Sequence, residues 1–169
     1  MNGEQWASEE APLFATHYIQ GIIYNKLRAP RTFTQAVHPQ NHITMKKAIA
    51  TAAAPAAIGP YSQAIEANGL IFVSGQLPIV PEKGEFAEGG VQAQTRQSLE
   101  NMKAILAEAG LTMNDVVKTT VFLADMGDFG AMNEVYSTFF EAPYPARCAY
   151  AVKTLPKNAL VEIECIAAR

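Results

Sequence analysis

The sequence predicts an α+β layer fold, and three observations carry that expectation. Hydrophobic spacing passes twice from a strand's period to a helix's along residues 46–169, in the order β-β-β-α-β-α-β-β. Both helical stretches follow separated strands, which puts two helices over one face of a mixed sheet. The last strand alternates carboxylates with apolar residues, so the other sheet face needs water or a partner subunit.

Residues 46–51 read as the first strand, followed by a loop over 55–61 that holds Gly59-Pro60. Residues 63–67 and 70–74 are the next two strands. Asn68-Gly69 joins them, a strong short-range signal for a hairpin. Residues 75–90 are a long loop with Pro78, Pro81, Gly84 and Gly89. Residues 91–109 form a helix whose Leu99, Met102, Ile105 and Leu106 share a face, with Gly110 as its stop. Residues 116–123 are rich in β-branched side chains and read as a buried strand. Residues 128–140 form the second helix, striped by Phe129, Met132, Val135, Tyr136 and Phe139, with Asp125 or Asp128 as its cap. Residues 147–152 and 160–167 are the last strands.

Composition narrows the function. The chain has 169 residues, 49% hydrophobic and 17% charged, with a mean hydropathy of +0.02, which is one folded domain's worth of apolar material. No run approaches the roughly 18 apolar residues of a membrane span. The net charge of −3 and pI near 5.6 leave no basic footprint, which argues against nucleic acid or an anionic membrane as partner. All three histidines, His17, His38 and His42, precede Met45. Chemistry after Met45 therefore uses no histidine, which excludes Ser-His-Asp and Cys-His catalysis and His-ligated zinc there. Cys148 and Cys165 form no C-x-x-C pattern; they suit a reducing cytosol and read as core residues, Cys148 turned towards the helices.

Residues 1–44 differ in character from the rest of the chain. Pro12, Pro30 and Pro39 interrupt them, and residues 13–27 could form one short amphipathic helix. Early acids at Glu4, Glu9 and Glu10 fit neither a secretory nor a mitochondrial leader. They are read as a leader, a mis-set start or a disordered arm before a domain over 45–169, with a partner-binding arm as the sharper alternative.

Several residues could carry chemistry. On the last strand Glu162 and Glu164 share the face away from the helix-packed core. On the preceding strand Arg147 sits beside small Ala149 and Ala151. If the two strands pair as a hairpin, Arg147 and one glutamate share a face, either as an anion-binding patch or as a structural ion pair. Ser74-Gly75-Gln76 ends a strand and opens a loop, where backbone can approach a ligand or merely turn. Tyr61 follows a rigid Gly-Pro and could bond a ligand or fill a gap. Asn133 sits inside a helix against its propensity, which hints at a specific hydrogen bond. No phosphate loop, metal-ligand spacing or cofactor motif is present.

These features fall in one order. The runs A-I-G-P-Y-S-Q-A (57–64), L-I-F-V-S-G-Q-L-P (70–78) and Q-S-L-E-N-M-K-A-I-L-A-E-A-G (97–110) closely resemble the RidA/YjgF family. So do V-V-K-T-T-V-F-L-A-D-M (116–126), M-N-E-V-Y-S-T-F-F (132–140), P-A-R-C-A (145–149) and V-E-I-E-C-I-A (161–167). The resemblance covers residues 46–169 and none of 1–44. It implies a chorismate-mutase-like fold, a homotrimer whose sheets close a central β-barrel, and ligand sites between subunits. It implies a cytoplasmic, cofactor-free and metal-free deaminase that hydrolyses 2-imino acids such as 2-iminobutanoate and 2-iminopropanoate to 2-oxo acids and ammonia. These imines arise when pyridoxal-phosphate dehydratases release enamines. Arg147 matches the arginine that forks onto the substrate carboxylate, and Glu164 the carboxylate that positions or activates water. Tyr61, Ser74, Gly75 and Asn133 match pocket residues. Some members carry a cysteine two residues after the arginine; here that position is Ala149, with Cys148 one residue earlier. One alternative stands beside the deaminase, a regulatory trimer that binds 2-oxo acids without turnover; the RNA cleavage attributed to some relatives is disfavoured by the net charge of −3 and the lack of histidine after Met45.

Overall fold

The computed structural model describes residues 46–169. The expected helix within 13–27 and the reading of 1–44 lie outside the described residues. Strand β1 (Lys47–Ile49) leads into the hairpin β2 (Ala64–Ala67) and β3 (Leu70–Gln76). Asn68 and Gly69 turn that hairpin at φ 52° and 75°, the doubly left-handed turn that matches strand twist. The segment expected as loop over 75–90 contains a two-residue ladder, β4 (Ile79–Val80) with β5 (Glu85–Phe86).

Helix α1 (Gly90–Glu108) follows. Gly110 ends it at φ 73°, where the Leu111 amide donates to the Leu106 carbonyl and the Gly110 amide to that of Ala107. Strand β6 (Val116–Leu123) leads to helix α2 (Phe129–Tyr136), strand β7 (Ala146–Ala151) and strand β8 (Val161–Ala168). Helix α2 stops four residues before the expected end at 140. The Ser137 and Thr138 hydroxyls donate back to the Glu134 and Val135 carbonyls, and the chain tightens into turns. Asp125 caps the 3-10 turn Met126–Asp128 by accepting from the Gly127 amide at 2.7 Å, while the Asp128 side chain caps nothing.

The main sheet runs β1-β2-β3-β8-β6-β7. All neighbours are antiparallel except β6 and β7, which α2 links as a parallel crossover. The mixed sheet and its two helices agree with the predicted class. The expected β7–β8 hairpin does not form, because β6 lies between them. One face of the sheet, through Ile71, Val73, Val121, Ile163 and Cys165, joins Leu99, Met102, Ile105 and Leu106 of α1 and Met132 and Tyr136 of α2 in the core. The other face leaves Phe72 and Tyr150 43% and 54% exposed. Among the described residues, no helix is long and apolar enough to cross a membrane.

Candidate functional site

Register decides which way each candidate points. Arg147 lies directly opposite Thr119, which lies opposite Cys165, so all three face the helices. Glu164 and Cys148 both lie opposite Thr120 and face the other way. Arg147 and the two glutamates therefore occupy opposite faces within one chain. Cys148 likewise faces away from the helices, against expectation. There the Lys118 ammonium donates to its sulfur at 3.0 Å and, with the Tyr150 hydroxyl, holds the thiol below its ordinary pKa. Cys165 is buried in the core as expected, and burial first, then Glu164, pushes its thiol up to about 12.

The first cluster gathers on the bulge of β3. Val73 pairs with Cys165 but Gln76 pairs with Ile163, so β3 holds one extra residue at Ser74-Gly75. The Gln76 side chain donates through Nε2 to the Ser74 carbonyl at 2.9 Å and closes the bulge. The Ser74 hydroxyl donates to the Ser62 carbonyl at 2.7 Å. Gly75 matters by contact rather than by φ: a Cβ there would overlap the Glu162 carboxylate as it now lies. Burial, and secondly the Glu164 charge, raise the pKa of half-buried Glu162; Glu164 itself is exposed. With Tyr61, Lys157 and an apolar wall that includes Ile58, Leu77 and Ile79, these residues line a 590 Å³ cavity. Two buried amides hold its walls. Gln63 donates to the carbonyls of Thr51, Ala54 and Pro55, and Asn101 donates to those of Leu77 and Ile79.

The second cluster surrounds Arg147. Its Nη1 donates to Asn133 Oδ1 at 2.8 Å, the specific bond that an asparagine inside a helix foreshadows. Its guanidinium lies 4.6 Å over the Tyr136 ring and 5.5 Å over Phe129. Among the described residues no carboxylate lies within 4.0 Å of it; the ion pairs there are Lys103–Glu100 and Arg169–Glu66. Asn133, Tyr136, Ser137, Tyr144, Pro145 and Arg147 line a separate 490 Å³ cleft. The six sequence-predicted residues thus form two groups, Tyr61, Ser74, Gly75 and Glu164 in one and Asn133 and Arg147 in the other.

The sequence marks Glu162 only as a second carboxylate and Tyr136 only as part of a helix stripe, and it carries no sign of a role at the site for Gln63, Asn101 or Lys157. The signal for Glu162 is a glycine on a bulge facing it, visible only once β3 and β8 are paired. Lys157 and Asn158 share a left-handed turn at φ 55° and 59° that no glycine announces.

Comparison with known proteins gives concordant matches. The family model described as Endoribonuclease L-PSP matches residues 51–169. A RutC family protein of Pyrococcus horikoshii is 55% identical over 123 residues, 73% of this chain and 98% of that protein. The 2-iminobutanoate/2-iminopropanoate deaminase of Mus musculus is 51% identical over 123 residues, 73% of this chain and 91% of its own length. The crystal structure of Escherichia coli TdcF with bound serine superposes with a TM-score of 0.70 at 48% identity, covering 73% of this chain and 98% of that one.

Proposed function

The chain belongs to the RidA family, whose model carries the description Endoribonuclease L-PSP, and from that membership we propose that it hydrolyses small 2-imino acids to 2-oxo acids and ammonia. One observation carries the reading for this chain: Arg147 is a fixed guanidinium with no carboxylate partner among the described residues, in an open cleft. A guanidinium so held presents a fork to a planar carboxylate.

The chemistry then asks little of the protein. The C=N carbon of a 2-imino acid is already electrophilic, so orientation, a water and a proton carrier suffice. Arg147 binds the substrate carboxylate. Glu162, its pKa raised, carries the proton, and Glu164 is the adjacent charge that helps keep it there. The water-activating role that the family resemblance gives Glu164 passes to the pair. Glu162 protonates the imine nitrogen, and water adds to carbon. The carboxylate takes the proton that the water releases and returns it to the amine nitrogen, then takes the hydroxyl proton as the C–N bond breaks, leaving the 2-oxo acid and free ammonia. Tyr61, Ser74 and Gly75 shape the cavity, with Asn133 fixing Arg147.

Arg147 and Glu162 lie on opposite faces of one sheet, which favours a site assembled from two chains. In a closed homotrimer, the Arg147 cleft of one subunit meets the Glu162 cavity of the next, three times over. Packing of the helix-free faces into a central barrel would cover Phe72 and Tyr150. We place residues 1–44 outside this domain, as a separate segment, and the protein in the cytoplasm. The test generates 2-iminobutanoate with threonine dehydratase and traps what remains with semicarbazide. Wild-type protein should deplete the trapped imine, and Arg147→Ala should not. Failure of both, with 2-oxobutanoate still bound, would support the regulatory trimer instead.

A further inference from the structure

We infer that Tyr136 is a positioning residue that sets the plane of the Arg147 fork, a role resting on the imine-deaminase reading above. An arginine side chain loses rotamer freedom when fixed, so something must hold it. Elsewhere in this fold a carboxylate does so, as Glu66 does for Arg169 at 2.8 Å. For Arg147 that solution would occupy the donors the substrate needs.

Aromatic faces hold it instead. The guanidinium carbon lies 4.6 Å over Tyr136, which is only 5% exposed. The Tyr136 ring is itself fixed. Its hydroxyl shares a 2.8 Å hydrogen bond with Thr119 Oγ1, and its ring lies 4.6 Å from Phe140. Thr119 stands directly across from Arg147 in the β6–β7 register. Backbone pairing, the Thr119 hydroxyl, the phenol and the cation–π contact therefore close a loop that begins and ends at Arg147. A ring face attracts the cation without taking an N–H. Asn133 takes a single N–H bond, leaving the others in the plane of the guanidinium for a carboxylate.

The test compares wild type with Tyr136→Leu, Tyr136→Phe and Arg147→Ala in imine hydrolysis and in 2-oxobutanoate binding by calorimetry. Tyr136→Leu should raise KM and weaken 2-oxobutanoate binding about tenfold, with a smaller fall in kcat. Tyr136→Phe keeps the ring and should recover most of that loss. Thr119→Val, which leaves the ring in place and cuts its anchor, should shift KM in the same direction as Tyr136→Phe; it serves if Tyr136→Leu fails to fold. An unchanged KM in folded Tyr136→Leu, or a fall in kcat alone, would overturn the role. So would an unchanged KM in Thr119→Val if Tyr136→Leu does not fold. If wild type neither binds 2-oxobutanoate nor hydrolyses the imine, the deaminase reading itself fails and takes this role with it. If wild type does both and Arg147→Ala does neither, while the Tyr136 variants match wild type, only the positioning role fails.

Discussion

Replacing Gly75 with alanine tests the cavity through a single methyl group. The added Cβ would lie 2.9 Å from Glu162 Cδ and 3.2 Å from its Cγ, and would overlap the carboxylate oxygen. The Gly75 backbone is not left-handed, so alanine meets no φ penalty there. The atoms in the way are the far end of a flexible side chain, which can swing aside. Crowding and a displaced rotamer then cost about 1 kcal/mol of stability, or roughly 4 °C in Tm. The consequence for catalysis is far larger, because a misplaced proton carrier forfeits an acid–base contribution of about 100-fold or more. Kinetics of 2-iminobutanoate hydrolysis should show kcat falling by about that factor, with Tm lowered by only the roughly 4 °C that the strain costs. A folded Gly75→Ala protein with wild-type kcat would refute the role given to Glu162.

Two other substitutions read stability and function side by side. The Glu162 pKa is raised above its ordinary 4.5, so in the window above that value the folded chain binds more proton than the unfolded one. Stability is then fullest below 4.5 and declines as pH rises through the folded value. Glu162→Gln should abolish turnover yet melt higher than wild type at pH 7, with the gap closing towards pH 4 in paired thermal scans. Asn101→Leu leaves the Leu77 and Ile79 carbonyls without their buried donor, and should cost about 2 kcal/mol in denaturant unfolding. Because Leu77 and Ile79 line the cavity, the same variant should also raise KM.

What the sequence reveals depends on how local the determinant is. Asn68-Gly69 and the Gly110 stop are each set within a few residues, and both turn out as expected. Parity along a strand is also local, and Arg147 and Cys148 do face opposite ways. Which of them faces the helices is the reverse of the expectation. A cysteine looks like core, but Tyr136 and Phe129 give a guanidinium an aromatic bed there. Strand order is not local. Consecutive strands neighbour one another in about two-thirds of cases, and β7 and β8 are an exception because β6 intervenes. That one crossing separates Arg147 from the glutamates within a chain. The Ser74-Gly75 bulge and the Asn101 and Gln63 bridges are hidden for the same reason, since each depends on a partner distant in sequence.

Subunit mixing tests the divided site most directly. Arg147→Ala and Glu162→Gln chains, each inactive alone and carrying different tags, would be co-expressed. A site built from one chain's Arg147 and its neighbour's Glu162 predicts one intact site in every mixed trimer, about a quarter of wild-type activity for random assembly. Mixed trimers recovered through both tags, yet no more active than either parent, would contradict a site shared between chains.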